Sequence, residues 1–169
     1  ADGGELLVLE GLDFANQFTD LQIIFGNPTH YGVDYDRLLG EVLFPMALPE
    51  VAAQIGTPQD LLQFPLIEVA THRAGWPHLF DQLRVSPGSA RYVFADSTIM
   101  AAELAAQGVG IALARAPASH TVQRRSGLIR CLPEIEVLGQ EAYHLVYPDR
   151  STLRPAARAF RSWLLDHLS

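Results

Sequence analysis

Residues 92–114, YVFADSTIMAAELAAQGVGIALA, constrain the fold of this chain more than any other stretch. They read as strand, tight turn, helix, turn and strand. Tyr92 to Phe94 is a short β-prone run, and Asp96, Ser97 and Thr98 are a cluster of N-cap residues. Ile99 to Gln107 is rich in Ala, Leu, Met and Glu, all good helix formers. Gly108 is placed to end the helix in a left-handed cap, and Ile111 to Leu113 resumes an apolar strand. A helix so poor in charge is expected to be largely buried, with Met100 and Leu104 on one face and Ile99, Ala102 and Ala106 beside it. Helix N-termini present unpaired N–H groups and partial positive charge, so the 94–98 turn suits a carboxylate or phosphate. Ser97 and Thr98 fit that use, and they equally fit a plain cap that only stabilises the helix.

Around this unit the chain alternates strand and helix signals. Glu5–Glu10 is a strand candidate, Leu12–Phe18 a short helix, and Asp20–Phe25 a second strand ending at Gly26. Leu38–Leu48 is β-prone, and Pro45 within it marks an edge or a strand changing partners, because proline donates nothing to a ladder. Thr57-Pro58-Gln59-Asp60 has cap, N1 proline and acidic N3 in the order of a helix start, with Leu61 and Leu62 inward. Leu66–Val69 reads as a buried strand, and Gly75–Leu83 as an amphipathic helix with Trp76 and Phe80 at i, i+4 spacing. Arg115–Arg124 reads as helical, Leu128–Cys131 and Gln140–Tyr147 as strands. Pro155 opens a last helix whose Ala156, Phe160, Trp163, Leu164 and His167 form one stripe, with Arg158, Arg161 and Asp166 outside it. Strands separated by helices imply an α/β architecture with mainly parallel pairing. Ligands in such folds sit beyond the carboxyl ends of strands, where helices begin.

An apolar fraction of 49% with 9% aromatic residues describes a chain that folds around a real core. No uninterrupted apolar run is long enough to span a bilayer, and the N-terminus lacks the basic-then-apolar pattern of a signal peptide. The single cysteine, Cys131, rules out an internal disulfide and reads as a small buried apolar residue. A net charge of −7 and a pI near 5.2 argue against this segment gripping nucleic acid by itself. The six histidines show no metal-ligand spacing, so no metal and no cofactor is expected. G-x-S-x-G, P-loop and dinucleotide glycine patterns are missing, and no paired carboxylates stand out for acid–base work. His72 is the one histidine placed near a cleft, with a solvent-facing loop position as the alternative. Enzymatic chemistry has little support in these residues.

Three segments in order resemble the effector-binding (substrate-binding) domain of LysR-type transcriptional regulators, in the branch of the glycine-cleavage and β-lactamase regulators. Asp20-Leu-Gln-Ile-Ile-Phe-Gly26 is similar to the family's D-L-A-I-R-F-G strand. Phe94-Ala-Asp-Ser-Thr98 through Gly108-Val-Gly-Ile-Ala-Leu113 resembles its F-D-S-S…A-A-x-G-x-G-V-A-L unit. Tyr143-His-Leu-Val-Tyr-Pro148, followed by Pro155-Ala-Ala-Arg-Ala-Phe-Arg-Ser-Trp-Leu164, resembles its ending.

The resemblance implies a periplasmic-binding-protein type II-like α/β fold, two subdomains joined by two crossover strands, Val42–Ala47 and Tyr143–Tyr147. Residues 1–46 and 143–169 would form the first subdomain and 47–142 the second. It implies an effector site in the cleft between them, carried by Phe25, Gly26, Thr71, His72, Ser97, Thr98 and Tyr143. The implied ligand is a small anionic or zwitterionic metabolite that controls DNA binding by a separate winged helix-turn-helix domain. A cytoplasmic location and a dimer or tetramer of the intact protein go with it. A solute-binding protein of the same fold is the alternative; an enzyme such as a prephenate dehydratase needs a Thr-Arg-Phe segment that this sequence lacks. Two departures from the family pattern stand out. The chain starts at what resembles the family's second strand, which implies a pocket and dimer face missing their first strand and helix. Ile24 stands where the family often has Arg, so no carboxylate clamp is expected there. Ser97→Ala and Thr98→Val are expected to weaken ligand binding with little loss of melting temperature.

Overall fold

The structure, a computed structural model, describes residues 20–168. The two elements expected at Glu5–Glu10 and Leu12–Phe18 lie outside the described residues. The chain separates into two compact units, one made of the described parts of 1–40 and 141–169, the other of 41–140. Two long strands, β2 (Asp34–Ala47) and β7 (Val137–Tyr147), carry the chain from one unit to the other.

In the 41–140 unit, β3 (Leu66–Val69), α2 (Trp76–Leu83), β4 (Tyr92–Ala95), α3 (Thr98–Ala106) and β5 (Ile111–Ala116) follow in sequence. A short helix α1 (Pro49–Ala52) and a 3-10 turn (Pro58–Gln63) precede them. β3 lies between β4 and β5 and pairs parallel with both, Leu66 opposite Tyr92 on one side and Ile111 on the other. Parallel neighbours need a crossover, which α2 and α3 provide. The long strand pairs otherwise: β2 runs antiparallel to β5, with Val42 opposite Ala116, and to β6 (Ile129–Arg130). The expectation of mainly parallel pairing therefore holds only for β3, β4 and β5, and the sheet is mixed. Pro45 sits inside β2 opposite Leu113, and its carbonyl accepts from the Cys131 N–H where β6 joins.

Two apolar layers cover this sheet. On one face Leu66, Ile111 and Leu113 pack with Trp76, Leu79 and Phe80 of α2, and the rings of Trp76 and Phe80 stack 5.7 Å apart. Trp76 also donates its indole N–H to the Ile67 carbonyl at 2.8 Å, so the buried ring leaves no polar atom unpaired. On the other face Ile67, Val69, Ala95, Ala112 and Ala114 meet α3 through Ala101, Ala102 and Ala105. The inward face of α3 is thus alanine, and Ile99 and Met100 are 61% and 49% exposed, contrary to the face expected from their size. The N-cap at Ser97 sets the phase of the helix, and the small side chains let its backbone lie close to the strands. α3 ends in a Schellman motif, with Val109 N donating to Leu104 O, Gly108 N to Ala105 O, and Gly108 at φ +81°.

β5 continues through Ala116, and the next helix, α4, spans only His120–Ser126, so the helix expected from Arg115 starts late. Arg115 stays in the strand because its side chain has buried partners there.

In the other unit β1 (Gln22–Phe25) pairs antiparallel with the end of β7, Gln22 opposite Val146 and Phe25 opposite Tyr143. α5 (Pro155–Leu168) packs Ala157 and Leu164 against Leu145, Tyr147 and Leu153. Its inward face is turned from the expected stripe: Arg161 points in and Phe160 and Trp163 are exposed, Trp163 stacking on His167. The cause is Asp36, which accepts from Arg161 at 2.6 and 2.8 Å and from the buried Tyr147 hydroxyl at 2.7 Å. Burial works against the Asp36 carboxylate, but these donors and the Arg150 charge hold it below its usual range.

Candidate functional site

The sequence-predicted residues fall into two groups, one on each unit. In the first, Phe25 ends β1 and stands opposite Tyr143 on β7, their rings 4.9 Å apart at 47°. Gly26 follows at φ +136°, a conformation that suits glycine, and donates its N–H to the Ala142 carbonyl at 3.0 Å. Phe25 is 41% exposed, so this aromatic pair offers an open apolar surface with a phenol beside it. Ile24, opposite His144, brings no charge to it.

The second group lies at one end of the 41–140 unit. The parallel register places Val69 beside Ala95, so Thr71 and His72 after β3 and Ser97 and Thr98 after β4 leave from the carboxyl ends of neighbouring strands. Ser97 is a bonded cap: its Oγ accepts from Met100 N at 3.1 Å and its carbonyl from Ala101 N at 2.9 Å. Thr98 is the first helical residue. The other N–H groups of that first turn face outward from the helix start.

His72 is held in a turn by its N–H to the Val69 carbonyl, 3.1 Å away, and its buried Nδ1 has no hydrogen-bond partner. Burial, with the nearby Arg115 charge, pushes the imidazole down to about 4, so the ring is neutral near pH 7. It lines a cavity of about 290 Å³ with Glu68, Arg73, Gly75, His78 and Phe94. His78 belongs to that cavity as well, donating its Nε2–H to the Leu138 carbonyl, 2.8 Å away. His72 is therefore one of two histidines there. The sequence signal for the cavity was the glutamate inside the apolar run Leu66–Val69. Glu68 accepts from the N–H of Trp76 at 2.8 Å, capping α2, and burial raises its pKa despite that bond. Among the described residues no group of three His, Cys, Asp or Glu side chains is placed to hold a metal ion. Cys131 is 1% exposed and burial pushes its thiol up to about 12, far from a nucleophile's range.

The family model described as the LysR substrate binding domain matches residues 12–169. The chain belongs to this family. It is 35% identical over 164 residues to the HTH-type transcriptional activator AmpR of Pseudomonas aeruginosa, covering 95% of this chain and 51% of that protein. The HTH-type transcriptional regulator PerR of Escherichia coli is 27% identical over 156 residues, covering 89% of this chain and 51% of its own length. The chain spans about half the length of the curated relatives it matches. Among solved structures, the effector domain of AmpR from Pseudomonas aeruginosa superposes with a TM-score of 0.71 at 31% identity, over 92% of this chain and 75% of that one. The AmpR effector-binding domain from Citrobacter freundii gives 0.71 at 23% identity, over 93% and 78%, a likeness of fold. The LysR-type chain is thus an effector-binding domain with the periplasmic-binding-protein type II-like α/β fold. Its relatives are transcriptional regulators, and among the described residues no helix is long and apolar enough to cross a membrane.

Proposed function

We propose that this LysR-type domain senses a small anionic or zwitterionic metabolite, and that the whole protein uses that signal to control DNA binding by a separate winged helix-turn-helix segment. The candidate contacts are Thr71, His72, Ser97 and Thr98 on one unit and Phe25, Gly26 and Tyr143 on the other. The observation that carries the reading is the start of α3. It presents unpaired N–H groups and two hydroxyl side chains at the carboxyl end of β4, and the neighbouring parallel strand β3 leads into the turn of the neutral His72. Such a site holds an anion by oriented dipoles and needs no bound cation. The domain binds and does no chemistry, and the intact protein works as a cytoplasmic homo-oligomer.

The test is a thermal-shift screen of the domain against amino acids, aromatic carboxylates and cell-wall peptides. A ligand that binds only the folded state raises the melting temperature in a saturable way. A rise with one class identifies the ligand chemistry. Equal, non-saturating shifts for all classes would refute the assignment of these residues.

A further inference from the structure

One guanidinium in the 41–140 unit joins three separate elements. Arg115 on β5 is 7% exposed and Glu41 on β2 is 3% exposed. Arg115 Nη1 donates to both Glu41 carboxylate oxygens at 3.0 Å. Its Nη2 donates to the carbonyl of Ala74, the residue that follows Thr71, His72 and Arg73 and precedes the N-cap of α2. Its backbone N–H is fixed by Ser119 Oγ at 2.7 Å. A fourth segment is shaped around the pair: a Cβ at residue 139 of β7 would fall on the Glu41 side chain, so Gly139 leaves the room it occupies.

Two features separate this pair from ordinary packing. Burying both charges is costly, and an apolar pair of similar volume often serves stability as well, so the pair points to a geometric role. Its location is equally specific. Glu41 is the first residue of its unit on one crossing strand, and Gly139 is next to the last residue of that unit on the other. The same guanidinium acts electrostatically on His72 and Glu68 of the cavity.

We propose that Arg115 is a positioning residue: with Glu41 it ties the 71–74 loop to the crossing strand β2, so that a displacement of the loop is felt at residues 38–43. That the displacement comes from an effector rests on the function proposed above; the tie itself does not. Lysine at 115 keeps the charge but has a single ammonium, which cannot hold the Glu41 carboxylate and the Ala74 carbonyl in the planar fork of arginine.

The decisive measurement is amide hydrogen exchange on the whole domain without ligand, for the wild type, Arg115→Lys, His72→Ala and the double variant. His72→Ala disturbs the loop directly. In the wild-type background it is expected to change exchange at 38–43 at least about threefold. In the Arg115→Lys background the change at 38–43 disappears, while the change at 70–76 persists. Equal responses at 38–43 in both backgrounds, or none in either, overturn the tie. Glu41→Gln, which keeps the side-chain shape, replaces Arg115→Lys if the lysine variant does not fold, with the same expected outcomes. NMR titration adds a readout that packing alone would not move. In Arg115→Met the His72 imidazole titrates at higher pH than in the wild type, and an unchanged midpoint contradicts the placement of that charge. Failure of every compound in the thermal-shift screen would remove the effector and leave this exchange result standing.

Discussion

Replacing Ser97 separates the two uses of the α3 N-terminus. Ser97 Oγ is bonded to Met100 N at 3.1 Å, so part of its role is structural, and Ser97→Ala removes one cap. Loss of a serine N-cap costs about 1 kcal/mol, which for a domain of this size is roughly 2–4 °C in melting temperature. The expectation of little stability loss on Ser97→Ala is therefore revised to a measurable one. Ser97→Asp restores the cap, since aspartate accepts from the same N–H, and adds a favourable charge at the positive end of the helix dipole, about 0.3–1 kcal/mol. Its melting temperature should equal or exceed that of the wild type. For an anionic ligand at this turn the same substitution is harmful, because it puts a carboxylate against the ligand and engages the N–H groups that would bind it. Losing one hydrogen bond to a charged ligand costs about 1.5–3 kcal/mol, so Ser97→Ala should weaken binding more than about tenfold, and Ser97→Asp by more still. Differential scanning fluorimetry without ligand and calorimetric titration with the compound giving the largest thermal shift measure the two effects. Wild-type affinity in Ser97→Asp, or an unchanged melting temperature in Ser97→Ala, would refute the reasoning.

Other predictions concern packing and protonation. Gly110→Ala should be strongly destabilising, on the order of 1–3 kcal/mol or more in chemical denaturation, because its Cβ would fall on the Pro65 backbone, which cannot swing away. Gly108→Ala, which meets only Leu48 at 3.8 Å but sits at φ +81°, should cost about 1 kcal/mol; a larger effect than at 110 contradicts the packing. His72 is depressed from 6.5 to about 4, so the unfolded chain binds its proton first and stability falls as pH drops from about 6.5 towards 4. His72→Gln should flatten that part of the melting-temperature profile, and an unaltered slope would show that His72 does not cause it. Cys131 should react with a thiol-specific disulfide reagent only at the rate of unfolding, and fast labelling of the native domain would contradict its burial.

The elements that local pattern specifies were legible in the sequence. The cap cluster at 96–98 and the glycine at 108 each fix a boundary through nearby residues alone, whereas the strand expected at 140–147 starts earlier, at Val137, and its expected alternation gives way to the continuously buried run 144–147. Helix facing was less legible. On α3 the large side chains Ile99 and Met100 look like core, yet close approach to the sheet selects the alanines. On α5 a stripe of aromatics is turned outward because Asp36 and Tyr147, far away in sequence, draw Arg161 in. The same limit applies to the site. Ser97 and His72 carry signals in their own segments. Glu41, Arg115 and Ala74 are brought together only by the pairing of β2 with β5 and the return of the loop after β3, and no spacing in the chain announces that.

The discontinuous unit has a consequence for how the chain is made. Residues 20–40 and 141–168 complete each other, while 41–140 is one uninterrupted run. During synthesis the middle run can close its core as soon as it clears the ribosome, whereas β1 waits for β7 and α5. Until then β1 offers an unpaired edge with the exposed Ile23 and Phe25, the kind of surface that recruits wrong partners. A nascent chain stopped near residue 140 would therefore carry a finished unit and a bare strand, and residues 141–168 act as the fastening that β1 needs.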